Sequence, residues 1–330
     1  MQNLGIAITG SGSAVPGTFL DNQWRSELVD TSDEWITTRT GIRQRRLATT
    51  SESVTTIGTA ASLKALEMAQ IEAKDIDLIL LATSTPDDLF GSASQIQAEL
   101  GASKAVAFDL TAACSGFVFG LVTAAQYIRT GVFQNVLLIG ADILSRWVDW
   151  EDRRTCILFG DGAGAAVLQA NKDDRLLGFE IKSDGTLNSC LNLAYTPQVK
   201  ELREGVSISK GNFANVSMNG KEVYRFAVKR VPEVIDKALF RANLTVEQVD
   251  WLLLHQANQR ILDAVAERLS IPSEKVISNV ANYGNTSAAS IPIALDEAVR
   301  EGKIKTTDTI AASGFGAGLT WGAAIFKWGR

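Results

Sequence analysis

The stretch AVAFDLTAACSGFVFGLVTAAQYIR, residues 105–129, joins a predicted strand to a predicted helix. Residues 105–110 have the composition of a short buried strand. From Phe117 onward the stretch is apolar on nearly every side, which is typical of a helix inside a large core. Small residues between the two allow a tight turn, and Cys114 stands in that turn, at or near the helix N-terminus. The rest of the chain can be organised around this strand–turn–helix unit.

On this stretch alone, Cys114 has two possible roles. A helix N-terminus offers free N–H groups and the positive end of the helix dipole, which lower the pKa of a thiol and favour the nucleophilic thiolate. Free cysteine is also among the most buried residue types, so Cys114 can equally be an inert core thiol. Residues elsewhere in the chain decide between the two roles.

The same unit occurs a second time. Residues 71–81 resemble residues 244–254, and further along the chain Cys114 aligns with Asn285. Because strands alternate with helices in both copies, we predict an α/β fold with mainly parallel sheets. Between the copies, residues 184–215 are predicted to form a polar, irregular insertion.

The duplication brings chemically useful side chains together. Cys114 and Asn285 occupy equivalent strand-to-helix turns, and His255, the single histidine, ends a predicted strand. If the halves pack around a pseudo-two-fold axis, these positions meet at their junction, and ligands of parallel sheets bind at such strand ends. We therefore favour a shared pocket in which Cys114 is a nucleophile.

Size and composition bound the class of protein. The 330 residues are 46% hydrophobic and 21% charged, with net charge −5 and a pI near 5.2, which suits a soluble globular chain of about two domains. The acidic balance argues against nucleic-acid binding, and the apolar runs are too short to span a membrane. No signal-peptide pattern is present, and three cysteines do not make a disulfide framework. We expect a cytoplasmic protein with reduced thiols.

Other candidate motifs are weaker. The glycine-rich segment at residues 10–16 has Val15 where a dinucleotide fingerprint needs a small residue, which disfavours a nicotinamide dehydrogenase. The segment at residues 159–164 lacks the lysine of a phosphate loop. Trp35 lies near several arginines and can stack on a purine, although on composition alone a packed tryptophan in a charged loop is favoured.

Four motifs together resemble the β-ketoacyl-[acyl-carrier-protein] synthase III family, condensing enzymes of the thiolase superfamily. They are TAACSGF around Cys114, HQAN at residues 255–258, NYGNTSAAS at residues 282–290 and DTSDEWITTRTGI around Trp35. The resemblance covers essentially the whole chain. It implies a homodimer and a thiolase-like duplicated αβ unit in a five-layer αβαβα fold. The N-terminal half, 1–172, would carry the nucleophilic cysteine and the C-terminal half, 173–330, the histidine and asparagine.

The resemblance implies a decarboxylative Claisen condensation that initiates type II fatty acid synthesis. Cys114 takes an acyl group, expected to be acetyl, from acyl-CoA, and malonyl-[acyl-carrier protein] then loses CO₂ and attacks the acyl-Cys114. Cys114, His255 and Asn285 form the implied triad, in which His255 and Asn285 donate hydrogen bonds to the enolate oxygen. The N–H groups of Cys114 and Ala317 are the implied oxyanion hole. No metal or redox cofactor is needed.

The resemblance also implies binding residues. The CoA contacts are Trp35, Arg39 and Arg153; the residues tied to carrier-protein docking are Gln256, Asn258 and Arg260; Phe90 matches the residue that reaches into the partner subunit's acyl tunnel. For Trp35 this reverses the preference stated above. A bulky residue such as Phe90 suggests a short acyl primer.

The chain departs from the family pattern at two further positions. Ala317 stands where the family often has glycine, which keeps the backbone donor but stiffens the loop. Lys221 stands where some members carry an asparagine near CoA, so that contact is not assigned. Cys156 is predicted to be a core residue, and the role of Cys190 is left open. The alternatives are a secondary-metabolism condensing enzyme, an acyl-CoA:acyl-carrier-protein transacylase, a thiol hydrolase and a non-catalytic member of the fold.

Overall fold

A computed structural model describes residues 4–330 of the chain. The strands are β1 (Gly5–Ala14), β2 (Phe19–Asp21), β3 (Gln44–Arg46), β4 (Leu78–Ala82), β5 (Val106–Leu110), β6 (Asn135–Asp142), β7 (Gly162–Asn171), β8 (Leu176–Ser183), β9 (Leu191–Asn192), β10 (Tyr195–Arg203), β11 (Val206–Phe213), β12 (Ser217–Met218), β13 (Trp251–Leu254), β14 (Val276–Ile277), β15 (Thr309–Gly316) and β16 (Thr320–Lys327). The helices are α1 (Asn22–Ser26), α2 (Asp33–Thr40), α3 (Val54–Ala69), α4 (Ala93–Leu100), α5 (Gly116–Arg129), α6 (Gly220–Ala242), α7 (Gln259–Arg268), α8 (Val280–Tyr283) and α9 (Ser290–Arg300).

Two five-stranded sheets share one strand order. The first is β1-β7-β6-β4-β5, and the second is β8-β16-β15-β13-β14. In both, the three strands at one end pair in parallel and the remaining pairs are antiparallel. The predicted duplication is therefore present, but the prediction of mainly parallel sheets was wrong. Helical crossovers join β4 to β5 and β5 to β6, whereas β6 to β7 and β15 to β16 connect without one, which gives antiparallel pairs.

Three apolar clusters separate five layers. The central cluster joins α5 and α9 to the inner faces of both sheets. A second cluster packs α3 and α4 on the outer face of the first sheet, and a third packs α6 and α7 on the outer face of the second. Strand β4 shows the alternation, since Leu78 and Leu80 point into the central cluster while Ile79 and Leu81 point into the outer one. The order of the layers is therefore αβαβα, as in thiolase-like folds.

Close backbone approach brings the second half of the chain onto the first sheet. A Cβ atom on Gly140 of β6 would lie 2.2 Å from the carbonyl oxygen of Ala288, and one on Gly164 of β7 would lie 2.7 Å from the backbone nitrogen of Ile293. Only glycine fits at such distances. The turn that precedes α9 can therefore sit directly against strands of the first half.

Several local predictions were wrong. Strand β5 was expected to be buried, but it is the edge strand of its sheet, and Val106 is 51% exposed. The segment at residues 184–215 is not irregular throughout, because β10 and β11 form an antiparallel hairpin there. The glycine-rich segment after residue 9 continues strand β1 as far as Ala14. Within residues 4–330, no helix combines the length and the apolar character that a membrane span requires.

Candidate active site

Cys114 lies in the 3-10 turn Ala113–Ser115, between β5 and α5. Ala113 opens the turn with φ of 47°, in the left-handed region that few non-glycine residues adopt. Strand β15 packs against this turn so closely that a Cβ atom on Gly316 would lie 2.6 Å from the backbone nitrogen of Cys114. The C-terminal half thereby closes over the cysteine of the N-terminal half, at the predicted strand-to-helix turn.

The Cys114 side chain lines a cavity of about 670 Å³ with mainly apolar walls. This size is typical of small-molecule sites. Both halves of the chain supply its lining, which includes Leu89, Leu144, Trp147, Phe159, Phe213 and Ala317. An apolar wall around a thiol suits an aliphatic acyl group better than a charged ligand.

Burial dominates the electrostatics of Cys114, which is 7% exposed. Desolvation, with a smaller contribution from the nearby Asp142 carboxyl, raises the pKa of its thiol to about 12, although Ser287 and the backbone at Cys114 act in the opposite direction. The expected net lowering of this pKa at the helix N-terminus is therefore not found, because burial outweighs it. Cys114 rests as a neutral thiol.

His255 directly follows β13 and is fixed by β15. Its backbone N–H donates to the carbonyl of Ser313 at 2.8 Å, and its ring packs edge-on against Phe315, with centroids 5.4 Å apart. Burial lowers the pKa of His255 to about 3, so the imidazole is neutral at physiological pH. Within the described residues, its Nδ1 atom has no hydrogen-bond partner. A neutral imidazole carries one N–H group for donation.

Asn285 is held between the segment that precedes β7 and the 3-10 turn Ser287–Ala289. Its backbone N–H donates to the carbonyl of Leu158 at 2.9 Å, and its carbonyl accepts from the N–H of Gly160 at 3.0 Å. The Oδ1 atom of Asn285 accepts a hydrogen bond from the N–H of Ser287 at 3.0 Å. Backbone and side chain of this asparagine are therefore both fixed.

Two residues that the sequence did not single out connect the site. The Ser287 side chain lies beside the Cys114 thiol and the carboxyl of Asp142 and acts to lower the pKa of both groups. Asp142, fully buried at the end of β6, also accepts from the N–H groups of Ser84 and Ala288, at 2.8 and 3.1 Å. Ser287 stands inside one of the motifs quoted above, and a carboxylate at the end of a predicted strand was the available signal for Asp142.

The structure brings the predicted triad to one junction through two segments. Residues 313–316 of β15 contact both the backbone of Cys114 and His255, while Ser287 links Cys114 to Asn285. The two 3-10 turns also match residue by residue, since Ala113 and Ser287 both have positive φ and both precede a central helix. That match sets Cys114 against Ala288, not against Asn285 as the sequence alignment had it, because Asn285 comes just before the turn.

The loop after β15 lies over the Cys114 turn. Ala317 lines the same cavity as Cys114, and its carbonyl lies 3.1 Å from the hydroxyl of Thr320. The same hydroxyl lies 3.0 Å from the carbonyl of Ala112 and 2.7 Å from Oγ of Ser115. Thr320 therefore ties the loop that carries Ala317 to the turn that carries Cys114.

The three predicted CoA contacts lie together. Trp35, on α2, has the Cζ atom of Arg39 at 4.4 Å from its ring centroid and that of Arg153 at 5.4 Å. Arg39 follows Trp35 by one helical turn, and Arg153 is anchored by donation from Nη1 to the carbonyl of Asp30 at 2.8 Å. Both guanidinium groups are exposed. The cluster offers an aromatic face and two positive charges to a ligand.

Of the three predicted docking residues, one is exposed. Gln256 is buried; its Nε2 donates to the carbonyls of Leu254 and Ile277, and its Oε1 accepts from the N–H of Asn279. These hydrogen bonds join β13 to the chain around β14, so the Gln256 side chain supports the segment tied to docking from within and offers no free polar group at its surface. Asn258 caps α7 by accepting from the N–H of Ile261 at 3.0 Å and is half-buried. Arg260 is exposed.

Phe90 does not line the Cys114 cavity of its own chain. Its side chain is 99% exposed, and with Phe108 of β5 it borders a second cavity of about 440 Å³. In residues 4–330, no group of three or more His, Cys, Asp or Glu side chains is arranged to hold a metal ion.

Comparisons with known proteins place this geometry in a family. Sequence models described as 3-oxoacyl-[acyl-carrier-protein] synthase III and as its C terminal match residues 108–185 and 239–328. A β-ketoacyl-[acyl-carrier-protein] synthase III from a Nostoc species is 76% identical over 330 residues, covering the whole of both proteins.

Solved structures agree. A 3-oxoacyl-[acyl-carrier-protein] synthase III from Aquifex aeolicus is 44% identical with a TM-score of 0.90, over 98% of this chain and 100% of that one. A priming β-ketosynthase of a polyketide biosynthetic pathway is 35% identical with a TM-score of 0.91, over 99% of this chain and 97% of that one. Full-length identity of this extent shows that the chain belongs to the β-ketoacyl-[acyl-carrier-protein] synthase III family.

Proposed function

We propose that this chain condenses an acyl-CoA, with acetyl-CoA the expected primer, with malonyl-[acyl-carrier protein]. The product is a 3-oxoacyl-[acyl-carrier protein], and the reaction initiates type II fatty acid synthesis. The observation that carries the proposal is the placement of Cys114, whose side chain enters an apolar cavity while its turn contacts β15 and Ser287. We propose that the chain divides into halves at 1–172 and 173–330 and that the reaction takes place where they meet.

The first half-reaction transfers the acyl group to Cys114. The cysteine sulfur attacks the thioester carbonyl, a carbon–sulfur bond to Cys114 forms, and the bond between the carbonyl carbon and the CoA sulfur breaks. The proton of the Cys114 thiol ends on the departing CoA sulfur. Burial raises the pKa of that thiol, so the thiol is protonated in the free chain and its proton has to be lost on the way to the acyl-enzyme.

The second half-reaction uses His255 and Asn285. The bond between the malonyl methylene carbon and its carboxylate breaks, CO₂ leaves, and the electron pair forms an enolate on the thioester. His255 and Asn285 donate hydrogen bonds to the enolate oxygen. The enolate carbon then attacks the acyl-Cys114 carbonyl, a carbon–carbon bond forms, and the Cys114 sulfur leaves and takes up a proton.

Neutral donors suit this step. His255 is neutral because of its burial, and an asparagine side chain carries no charge. Neither residue places a negative charge beside the departing carboxylate, and neither needs an ionic partner in the apolar site. We assign the oxyanion hole for the attack on acyl-Cys114 to the N–H groups of Cys114 and Ala317, which line one cavity.

The two substrates are assigned to different surface residues. We assign CoA to the cluster of Trp35, Arg39 and Arg153, where the adenine ring can stack and the phosphates can pair with guanidinium groups. Arg260 is assigned to the acidic carrier protein, and Asn258 supports it by capping the helix that carries it. The reaction as written requires no metal or redox cofactor, and we propose that it takes place in the cytoplasm.

We also propose that the protein is a homodimer. Strand β5 is an open edge with Val106 and Phe108 exposed, and Leu89 and Phe90 expose large apolar side chains beside it. Pairing of β5 with β5 of a second copy covers this surface, and Phe90 can then enter the partner's cavity. Light scattering tests this, since Phe108→Asp should give a monomer if β5 forms the interface, and a retained dimer would contradict it.

A second candidate function is priming of a polyketide pathway, favoured by the likeness to the priming β-ketosynthase described above. Both functions use an acyl-Cys114, so acylation alone does not separate them. The carrier protein does: rapid condensation with the malonylated fatty-acid carrier supports the first, whereas a preference for a polyketide carrier supports the second.

The proposed function is tested by intact mass. Wild type and Cys114→Ser are incubated with acetyl-CoA, and malonyl-[acyl-carrier protein] is then added. One acetyl group should be gained by wild type only and then discharged as a 3-oxoacyl product. Discharge as free acid would point to a thiol hydrolase, and transfer to the carrier without a new carbon–carbon bond to a transacylase. No adduct with any acyl-CoA would refute the proposal.

A further inference from the structure

The loop at residues 83–92 combines an apolar tip with a tightly bonded base. Its tip exposes Leu89, at 81%, and Phe90. Its last residues are held by β5, since the Asp109 carboxylate accepts from the N–H groups of Ser92 and Ala93, at 3.0 and 2.8 Å. The base of this loop is held in place by carboxylates while its apolar tip stays exposed. Such an exposed apolar tip on a fixed loop indicates a role in binding.

Asp87 anchors the middle of this loop to the N-terminus of α3. One of its oxygens accepts from the N–H of Thr55 at 2.8 Å and the other from the N–H of Val54 at 3.2 Å. These are donors that a helix start leaves free, and the cap residue Ser53 takes only that of Thr56. Burial alone would raise the pKa of Asp87, but hydrogen bonds from Thr55, Arg146 and Val54 outweigh it and hold that pKa below its ordinary value.

The same carboxylate also forms an ion pair with a residue beside another wall of the cavity. Oδ1 of Asp87 lies 2.9 Å from Nη1 of Arg146, in the 3-10 turn Leu144–Arg146. On that side, Leu144 and Trp147 line the Cys114 cavity, and on the side of Asp87 the lining residues are Ser84, Thr85, Pro86 and Leu89. This ion pair joins two walls of the cavity that holds the Cys114 thiol, together with the hydrogen bond from the N–H of Ile143 to the hydroxyl of Thr85 at 2.8 Å.

We infer that Asp87 and Arg146 are positioning residues that set acyl-chain specificity by fixing the separation of these two walls. The inference rests on the proposed function, because it takes the cavity as the acyl site. The pair is well placed to hold this distance, since the Asp87 side chain is 15% exposed and is also fixed by α3. When the pair is broken, the loop keeps its anchors at α3, at β5 and, through Ser84 and Thr85, at the end of β6. The part of the loop that carries Leu89 loses its direct bond to the turn of Leu144, so this wall can move outward and admit a longer chain.

Rates of Cys114 acylation by acetyl-CoA and by hexanoyl-CoA test this inference. Arg146→Met removes the charge but leaves Asp87 on α3, and Arg146→Lys restores the charge. Because each methylene in an apolar pocket is worth roughly tenfold in selectivity, we expect Arg146→Met to shift the rate ratio about tenfold toward hexanoyl-CoA. Arg146→Lys should keep the ratio close to wild type, and Asp87→Asn should shift it in the same direction as Arg146→Met.

Two controls separate positioning from general damage. Arg129→Met breaks a comparable pair with Asp174, at 2.7 Å and remote from the cavity, and should leave the ratio unchanged. Decarboxylation of malonyl-[acyl-carrier protein] in the absence of primer should also be unchanged in Arg146→Met, because that step does not use the acyl wall.

Either of two results overturns the inference. One is a folded Arg146→Met protein with the wild-type ratio, and the other is an equal fall of both rates, which would indicate a structural role only. If wild type is acylated by neither thioester, the proposed function fails as well, and that result is visible before any variant is made.

Discussion

The backbone N–H of Ser287 donates a hydrogen bond to Oδ1 of Asn285 at 3.0 Å, and this contact determines how the Asn285 amide is presented. Since the oxygen is engaged, the Nδ2 amino group is the end that remains for a ligand. Ser287 also contacts Cys114, so one residue orients the proposed decarboxylation donor and touches the proposed nucleophile.

Asn285→Asp tests the role of that amino group. The aspartate can still accept from Ser287, but it loses the donor and adds a negative charge near the departing carboxylate. Removing one such donor typically costs about 10²- to 10³-fold, so primer-free decarboxylation of malonyl-[acyl-carrier protein] should fall by that amount. Acetylation of Cys114 should persist. Asn282→Asp, an exposed asparagine in the same segment, is the matched control, and wild-type decarboxylation in Asn285→Asp would contradict the assignment.

His255 offers a pH experiment, because it is the only histidine in the chain. Burial lowers its pKa in the folded state to about 3, below the ordinary value of 6.5. Its imidazole NMR signals should therefore stay in the neutral form from pH 8 to pH 5. A titration midpoint near 6.5 would show that the ring is solvated.

The same pKa difference has a consequence for stability. The unfolded chain binds a proton at His255 near pH 6.5, and the folded chain does not. The contribution of the neutral His255 to the free energy of unfolding is therefore complete above pH 6.5 and is lost as pH falls toward 3. We expect the free energy of unfolding to drop by about 1 kcal/mol between pH 6.5 and 5.5 through this group. His255→Gln should lack that part of the pH dependence in denaturant titrations.

The resting state of Cys114 can be tested by alkylation. With a thiol pKa of about 12, the thiolate fraction increases with every pH unit across the accessible range. The rate of iodoacetamide modification at Cys114, followed by peptide mass spectrometry, should therefore rise about tenfold per unit from pH 6 to pH 9 without levelling off. A plateau below pH 8 would mean that the helix N-terminus prevails over burial.

Much of the fold was predictable because its determinants are local. Apolar runs and small residues mark the strand–turn–helix unit around Cys114 and its second copy, so the duplication and the α/β class followed from the residues, whereas the five-layer arrangement was implied by the family resemblance. The edge position of β5 was not predictable from the sequence. An edge strand whose exposed residues are covered by another surface can be as apolar as a buried central strand, so the two have the same composition. Parallel or antiparallel pairing depends on whether a connection crosses the sheet, which strand composition does not encode.

The residues of the site also differ in how far the sequence could predict them. Cys114, His255 and Asn285 were found because their side chains are chemically distinctive and stand at element ends. Asp142 was missed because its contacts with Ser84 and Ala288 arise only from tertiary packing, and the contact with Ala288 joins the two halves. The expected thiolate failed for a related reason, since burial of a thiol by a distant segment of chain cannot be read from its neighbours in sequence.

Trp35→Ala tests the proposed CoA site. Loss of the aromatic face should raise the KM for acetyl-CoA about tenfold, in line with cation–π and stacking contributions of about 1–2 kcal/mol. The rate of primer-free decarboxylation should not change, because it does not involve CoA. Trp24→Ala is the control, since Trp24 is also exposed but lies outside the arginine cluster. Equal effects of the two substitutions would argue against CoA binding at Trp35.

Arg260 and Gln256 make opposite predictions although they are close in sequence. Arg260→Glu reverses an exposed charge, so it should raise the KM for malonyl-[acyl-carrier protein] about tenfold and weaken its dependence on salt, with little effect on thermal stability. Gln256→Ala removes a buried group that bonds Leu254, Ile277 and Asn279, so it should lower the free energy of unfolding by about 1–3 kcal/mol. The two effects are measured by steady-state kinetics across a salt series and by denaturant unfolding. A salt-sensitive KM change in Gln256→Ala without loss of stability would return that residue to the docking surface.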